Sequence, residues 1–213
     1  MRIIKTKKYL EEQARQTLCQ VCGYDINGLF CNDKPDIQDK NGNCGIEVVI
    51  DIEEDIQELT AFIENVCDTP YDQIDPLKIK HFQSKGGKIT KIVNNKICSA
   101  FIGENPDNPA HLIKTIKKKV DLLNASDYKH FENYSLYVFV NTVSIDESFD
   151  SYVLDIMNSV ASYKHAKNFQ TLFLDYNHCI CICDLSKLEF ERIPIPYQTR
   201  ESIHLETQRT CPN

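Results

Sequence analysis

The spacing of apolar residues along the chain predicts where its helices lie. Between residues 7 and 22 apolar side chains recur every three or four positions, which is the period of an amphipathic helix. The residues in question are Leu10, Ala14, Leu18 and Val21. Gly23 is a suitable C-terminal stop for this helix. The same criterion predicts three further helices, over residues 53–66, 109–123 and 146–164.

Other segments have the period of two, or the continuous apolar run, that is typical of strands. They are residues 24–31, a hairpin over 36–51 with its tip at Asn41-Gly42-Asn43, and residues 135–141, 171–175, 179–184 and 188–195. Segment 135–141 is apolar on both faces, which predicts a central strand, and 188–195 is expected at an edge. The order of elements predicts an α/β fold, a mixed central sheet flanked by helices on both faces.

The length of 213 residues suits one α/β domain, predicted over residues 1–196. Breakers at Asp68-Thr69-Pro70 and Asp75-Pro76 predict a loop insertion at about 67–108. Within it, Lys85-Gly86-Gly87-Lys88 lacks P-loop spacing and is expected to be a turn between two strands. Asn108 and Pro109 fit the N-cap and first position of the next helix. Residues 197–213 are predicted to be a polar, frayed C-terminal tail.

Charge and cysteine content indicate which partners and which cellular compartment the protein is expected to have. The net charge is −7, yet residues 33–75 hold thirteen acidic side chains and residues 76–130 hold eleven lysines. The basic segment could meet a polyanion, although a solvated surface explains it equally well. The first residues lack an apolar signal-peptide core, and no run approaches transmembrane length. We therefore expect a cytoplasmic protein that does not enter membranes and whose ten cysteines are mostly reduced.

The hairpin over residues 36–51 holds the most informative polar residues of the sequence. In its second strand Ile46, Val48 and Ile50 share one face, and Glu47, Val49 and Asp51 share the other. A carboxylate on this strand, near an aspartate of the neighbouring strand, can ligate a divalent cation. The hairpin is therefore a candidate metal site.

Pro35-Asp36, followed about ten residues later by Ile46-Glu47-Val48-Val49, resembles the signature of the PD-(D/E)XK, or restriction-endonuclease-like, nucleases. This segment is most similar to small bacterial proteins that contain the sequence motif "KPDI…GIEV". The resemblance implies an αβββαβ core, matched here from about residue 5 to residue 184, and a Mg²⁺-dependent (or Mn²⁺-dependent) hydrolase of phosphodiester bonds. It implies Asp36, Glu47 and the carbonyl of Val48 as metal ligands, and Glu11 of the first helix as a residue that completes the site. DNA is favoured over RNA as the partner, and homodimers are common in this superfamily.

One residue departs from the family pattern, because Val49 stands where the family has its catalytic lysine. Some members supply that lysine from a neighbouring helix, and helical phase makes Lys119 the best-placed replacement. Lys119 falls on the rim of the apolar face of helix 109–123, whereas Lys114, Lys117 and Lys118 lie off it. A solvated surface position is the default for these lysines, as it is for Glu11.

Two alternatives to a nuclease follow from the same residues. With Val49 in place of lysine, the chain could be a catalytically inactive module on the nuclease fold that binds a nucleic acid or a protein. Alternatively, four cysteines could hold Zn²⁺ in an interaction protein: Cys19, Cys22, Cys31 and Cys44. The alternating Cys179, Cys181 and Cys183 are expected to be small buried hydrophobic residues.

Overall fold

A seven-stranded mixed sheet organises the first of two structural units, which comprises residues 1–51 and 109–213. The computed structural model describes residues 7–52, 54–66, 69–101, 109–125, 128–141 and 149–211. Within these ranges the strands of the large sheet are β1 (Leu29–Cys31), β2 (Ile37–Asp39), β3 (Cys44–Asp51), β6 (Asn133–Val140), β7 (Thr171–Asp175), β8 (Cys179–Asp184) and β9 (Glu189–Pro194), in this spatial order. Strands β4 (Lys88–Val93) and β5 (Lys96–Phe101) belong to the second unit.

The strand directions make the sheet mixed. Strands β1, β2 and β3 form an antiparallel meander, and β3, β6 and β7 run parallel to one another. Strands β8 and β9 return antiparallel. The prediction of a central strand is confirmed, because β6 is fourth in the order, and the prediction of an edge strand is confirmed for β9.

Helices α1 (Lys7–Gln20), α4 (Pro109–Ala125), α5 (Phe149–Ala161) and α6 (Tyr197–Thr210) cover the two faces of this sheet. On one face α4 and α5 pack on β6, β7 and β8 through the largest hydrophobic cluster of the described residues. On the other face Ala14 and Leu18 of α1 pack against Ile46 and Val48 of β3. The predicted fold class, α/β with a mixed central sheet covered by helices, is therefore confirmed at this level. An N-cap was predicted at position 108, and the start of a helix was predicted at residues 146–148. Both lie outside the described residues.

The second unit, residues 52–108, contains α2 (Glu54–Val66), a 3₁₀ turn (Tyr71–Gln73), α3 (Pro76–Ser84) and the β4–β5 hairpin. Its core includes Leu59, Ile63 and Phe82. The segment predicted as a loop insertion thus holds a helix and two strands among its described residues. The predicted turn at Gly86-Gly87 joins a helix to a strand and not two strands, with Gly86 at a φ of 90° and Gly87 beneath the ring of Phe82.

Helix α6 occupies residues that were predicted to be a frayed tail, and that prediction is wrong. Its sequence is polar, but Ile203 and Thr207 are fully buried, and the helix packs along α1. Arg200 anchors it to the sheet by a two-point ion pair with the buried Asp175, at 2.6 and 3.0 Å. Tyr137 of β6 also donates a hydrogen bond to Asp175. These partners are distant in sequence, so local periodicity does not reveal the helix.

Substituting Arg200 with methionine is expected to lower the free energy of unfolding by about 3 kcal/mol, since the carboxylate of Asp175 would stay buried without its cation. Chemical denaturation at neutral pH measures this. The matched control is Arg209→Met, which removes an exposed arginine from the same helix and should change stability by less than about 0.5 kcal/mol. Equal effects of the two substitutions would show that the buried ion pair does not hold α6 in place.

Candidate functional site

The β2–β3 hairpin forms as predicted, and a close approach between three residues fixes its conformation. Ile37 lies opposite Ile46, and Gln38 opposite Gly45. A Cβ atom on Gly45 would lie 2.6 Å from Cγ of Pro35 and 2.8 Å from Cδ2 of Phe131, so only glycine allows these rings to pack there. This packing holds Pro35 against β3 and thereby positions the next residue, Asp36.

Asp36 directly precedes the first residue of β2 and lies beside β3. Its side chain is buried, with 1% of the residue exposed, and Oδ2 accepts a hydrogen bond of 2.9 Å from the backbone N–H of Val48. In an extended strand the N–H and C=O of one residue point to the same side. The carbonyl of Val48 therefore faces the edge at which the carboxylate of Asp36 lies.

Helix α1 brings a second carboxylate and a lysine to Asp36. The ammonium of Lys7 lies 2.9 Å from Oδ1 of Asp36 and 3.3 Å from Oε1 of Glu11. Glu11 is buried and not solvated as expected, and burial together with the charge of Asp36 raises its pKa, against the opposing effect of Lys7. The hydrogen bond to Asp36 is the largest of the effects that raise the pKa of Lys7. One cation thus lies between two carboxylates.

Helix α4 places Lys119 at the other carboxylate of the hairpin. Its Nζ lies 2.8 Å from Oε1 of Glu47, which is 7% exposed. The hydroxyl of Tyr128 also interacts with Glu47, and burial together with the negative charge of Glu47 raises the pKa of this tyrosine. The structure therefore brings Lys119 to Glu47, while Lys114 and Lys118 are exposed.

The side chain of Val49 is half-buried and packs against the hydrophobic cluster between the sheet and helices α4 and α5. Two residues further along β3, the fully buried Asp51 lies 2.7 Å from Nδ1 of His111 and 3.4 Å from Oγ1 of Thr115. His111, Thr115 and Lys119 follow one another at intervals of four along α4. This row of polar side chains therefore faces the row formed by Glu47, Val49 and Asp51 on β3.

Sequence reasoning did not identify Lys7, Tyr128 or His111 as neighbours of these carboxylates. The spacing of four residues from Lys7 to Glu11 is a local signal, because such residues share a helix face. The same spacing relates His111 to Thr115 and Thr115 to Lys119. Tyr128 carries no such signal, since it is placed beside Glu47 by the fold.

The neighbouring Glu12 is also buried, although its position on the helical wheel is nearly opposite the apolar stripe of Leu10, Ala14, Leu18 and Val21. Both of its oxygens accept hydrogen bonds from Arg15, at 2.7 and 2.8 Å, and Gln16 donates a third. Burial acts to raise the pKa of Glu12, but these hydrogen bonds outweigh it and lower the pKa below 4.5.

A stability difference should follow from this lowered pKa. A carboxylate with a lowered pKa stabilises the folded state at pH values above its ordinary pKa, and this contribution is lost as the pH falls through the lowered value. We expect Glu12→Gln to reduce the free energy of unfolding by about 2 kcal/mol at pH 7, with the difference from wild type vanishing in acid. Urea unfolding between pH 7 and pH 3 measures it, and a difference that is independent of pH would contradict it.

Carboxylates, the ligand type of a hard divalent cation, are among the charged groups that the structure places at this hairpin. In the described part of the chain no group of three or more His, Cys, Asp or Glu side chains is arranged to hold a metal ion. Mg²⁺, however, is commonly bound by one or two carboxylates together with water and substrate phosphate. Asp36 and Glu11 already share a cation, the ammonium of Lys7, and the Val48 carbonyl and Glu47 belong to the same hairpin.

The zinc alternative finds no support among the described cysteines, all nine of which are free thiols. Burial raises the pKa of Cys22 and of Cys31 to about 12. In the described part of the chain these cysteines belong to no group of three or more side chains that could hold a metal ion. Cys179, Cys181 and Cys183 are buried, as predicted.

A groove of about 290 Å³ adjoins the site at Lys7, Glu11 and Val48. Lys7, Leu10 and Glu11 of α1 form one wall, and Val48, Val49 and Ile50 of β3 form the other. A ligand in this groove would contact the carboxylate of Glu11 and the backbone of β3 at the same time.

Comparison with family models, curated proteins and solved structures yields no match for this chain. Within the described ranges, none of the helices is both long enough and apolar enough to cross a membrane. What the chain does is therefore inferred from its own residues and their geometry.

Proposed function

We propose that this chain is a Mg²⁺-dependent nuclease that hydrolyses phosphodiester bonds, with DNA favoured over RNA as the substrate. The observation that carries the proposal is the contact of Lys119 with Glu47 on the hairpin that holds the buried Asp36. The order α1, β1, β2, β3, α4, β6 supports it, because it agrees with the αβββαβ core of the PD-(D/E)XK nucleases. The second unit interrupts this order between β3 and α4.

In this proposal Asp36, Glu47 and the carbonyl of Val48 hold Mg²⁺ or Mn²⁺, and Glu11 completes the site. The bound ion would lower the pKa of an attacking water and offset negative charge on the scissile phosphate. Lys119 supplies the positive charge that Val49 cannot, and its ammonium also holds Glu47 in place. Lys7 balances the charge of Asp36 and Glu11 from the N-terminal turn of α1.

Backbone contacts to the nucleic acid are assigned to the lysine-rich region from Lys78 to Lys119. Lys88, Lys91 and Lys96 are exposed on the β4–β5 hairpin of the second unit, as Lys78 is on α3. Lysines contact phosphates without reading sequence, so this region would contribute affinity and not specificity. We place the protein in the cytoplasm, in agreement with its free thiols, and a homodimer is part of the proposal by resemblance alone.

Packing around Val49 favours a second candidate function. Its side chain lies against the hydrophobic cluster, and Lys7 and Lys119 are already paired with carboxylates. A chain with these features and no catalysis would be a module on the nuclease fold that binds a nucleic acid or a protein.

A cleavage assay separates the two functions. Purified protein is incubated with plasmid and with linear DNA in Mg²⁺ or Mn²⁺, and in parallel with EDTA. Cleavage that requires the metal and is lost in both Asp36→Ala and Glu47→Ala supports the nuclease. No cleavage by the wild type, or unchanged cleavage by both variants, would show that the metal-nuclease proposal is wrong.

A further inference from the structure

A second cavity, of about 320 Å³, lies at the carboxyl ends of the three parallel strands β3, β6 and β7. Strand ends, helix α1 and helix α6 all contribute to its wall, which includes Ile50, Phe139, Asp175, Gln13 and Arg200. The carboxyl ends of parallel strands are a common place for ligands in α/β proteins, and this volume suits a small molecule.

This cavity adjoins the groove at the candidate metal site. Leu10 and Ile50 line both spaces, with Lys7 and Glu11 on one side of them and Gln13 on the other. A single molecule with an anionic group near the ammonium of Lys7 can therefore extend into the second cavity along the surface of α1.

Gln13 has an unsatisfied hydrogen-bonding group at this cavity. The residue is only 6% exposed, and its side-chain oxygen Oε1 is buried without a hydrogen-bond partner among the described residues. A buried carbonyl without a partner destabilises a protein, and native structures retain few of them. Gln13 also lines the cavity, so the outer end of its carboxamide can form a hydrogen bond with a ligand.

The charged side chains of the cavity wall neutralise each other. The guanidinium of Arg200 is held by both oxygens of Asp175, and it also donates to the carbonyl of Asn177. The wall is therefore a poor site for a phosphate. With two asparagines and the ring of Phe139 besides Gln13, it offers hydrogen bonds and an aromatic surface to an uncharged, planar molecule.

We propose that this cavity binds the base of a nucleotide whose phosphate lies beside the ammonium of Lys7 at the candidate metal site, with the carboxamide of Gln13 bonding to the edge of the base. The inference rests on the proposed function, which places the phosphate. It adds that one base next to the scissile bond leaves the stack and enters the protein, as in enzymes that extrude a base.

Binding is measured by NMR or calorimetric titration in EDTA, so that neither metal nor cleavage is needed. The probes are the four 5′-deoxynucleoside monophosphates, the four deoxynucleosides and deoxyribose 5-phosphate. We expect the wild type to bind at least one nucleotide and its nucleoside, and Gln13→Leu to weaken both by about tenfold. Gln20→Leu is the matched control, because it removes an exposed carboxamide from the same helix and should bind as the wild type does.

Gln13→Leu replaces an unsatisfied polar group by an apolar one, so its melting temperature should equal or exceed that of the wild type. Gln13→Met, with a more flexible side chain, serves the same purpose if the leucine variant does not fold. The proposal is overturned if no nucleotide binds at millimolar concentration, if deoxyribose 5-phosphate binds as tightly as the nucleotides, or if the folded Gln13 variants bind like the wild type.

The same titration on Glu47→Ala separates this proposal from the nuclease itself. Base binding that persists in this variant supports the proposal that the cavity binds a base, whether or not the wild type cleaves DNA. Cleavage by a wild type that binds no nucleoside would leave the nuclease standing and exclude the base site.

Discussion

Replacing Asp36 with asparagine is expected to lower the rate of Mg²⁺-dependent DNA cleavage about a thousandfold and to leave the fold intact. Asparagine has the same shape, and its carbonyl oxygen can still accept the N–H of Val48. It lacks the negative charge that a divalent cation requires, so the transition state loses several kcal/mol of stabilisation. Single-turnover cleavage of a labelled duplex, with thermal unfolding in parallel, measures both quantities.

Asp39→Asn is the matched control for that experiment. Asp39 ends β2, which begins one residue after Asp36, and its carboxylate accepts a hydrogen bond from the N–H of Asn43 at the tip of the hairpin. The same change of one oxygen to nitrogen there should alter cleavage less than about twofold, because Asp39 is not a proposed metal ligand. Equal cleavage by Asp36→Asn and wild type would show that Asp36 is not a metal ligand of the site.

Lys119→Met is expected to reduce cleavage about a hundredfold, because it removes a positive charge near the phosphate. The substitution also leaves Glu47 without its cation, so the free energy of unfolding should fall by about 1 to 3 kcal/mol. Cleavage must therefore be measured well below the melting temperature. Lys118→Met, which removes an exposed lysine from the adjacent position of α4, should behave as the wild type does.

A lysine at position 49 provides the decisive variant. Val49 is half-buried on the strand face that carries Glu47, so Val49→Lys in the Lys119→Met background would restore an ammonium from the position that the family uses. Recovery of cleavage without recovery of the lost free energy of unfolding shows that the charge acts in catalysis, since a repaired ion pair with Glu47 would restore both. Wild-type cleavage by the single Lys119→Met variant would show that Lys119 only supports Glu47.

The secondary structure of the first unit could be predicted well where the local pattern of apolar residues matches burial. Helix α4 begins at Pro109, and its buried residues are Leu112, Ile116, Val120 and Leu123, as its period required. Strands β7 and β8 are continuous apolar runs buried on both faces; they match their predicted bounds and pair antiparallel. In both kinds of element the sequence carries the information itself.

The candidate site could be predicted only in part. The hairpin, Asp36 and Glu47 could be predicted because their pattern lies within sixteen residues of sequence. Helical phase indicated Lys119. Burial of Glu11 and Glu12 was not accessible, because it depends on what α1 packs against. Partners such as Lys7 for Asp36 and Arg200 for Asp175 are far apart in the chain.

The sequence alone therefore determined the periodic elements of this protein, the α/β class and the carboxylates on one hairpin, because these follow from the local alternation of apolar and polar residues. Tertiary structure decided which charges meet. It paired Lys119 with Glu47 and Lys7 with Asp36, folded the polar residues 197–210 into α6, and formed the cavity beside Gln13. The physical reason is that an ion pair or a cavity is made by residues that only the completed packing of α1, α4 and α6 on the sheet brings together.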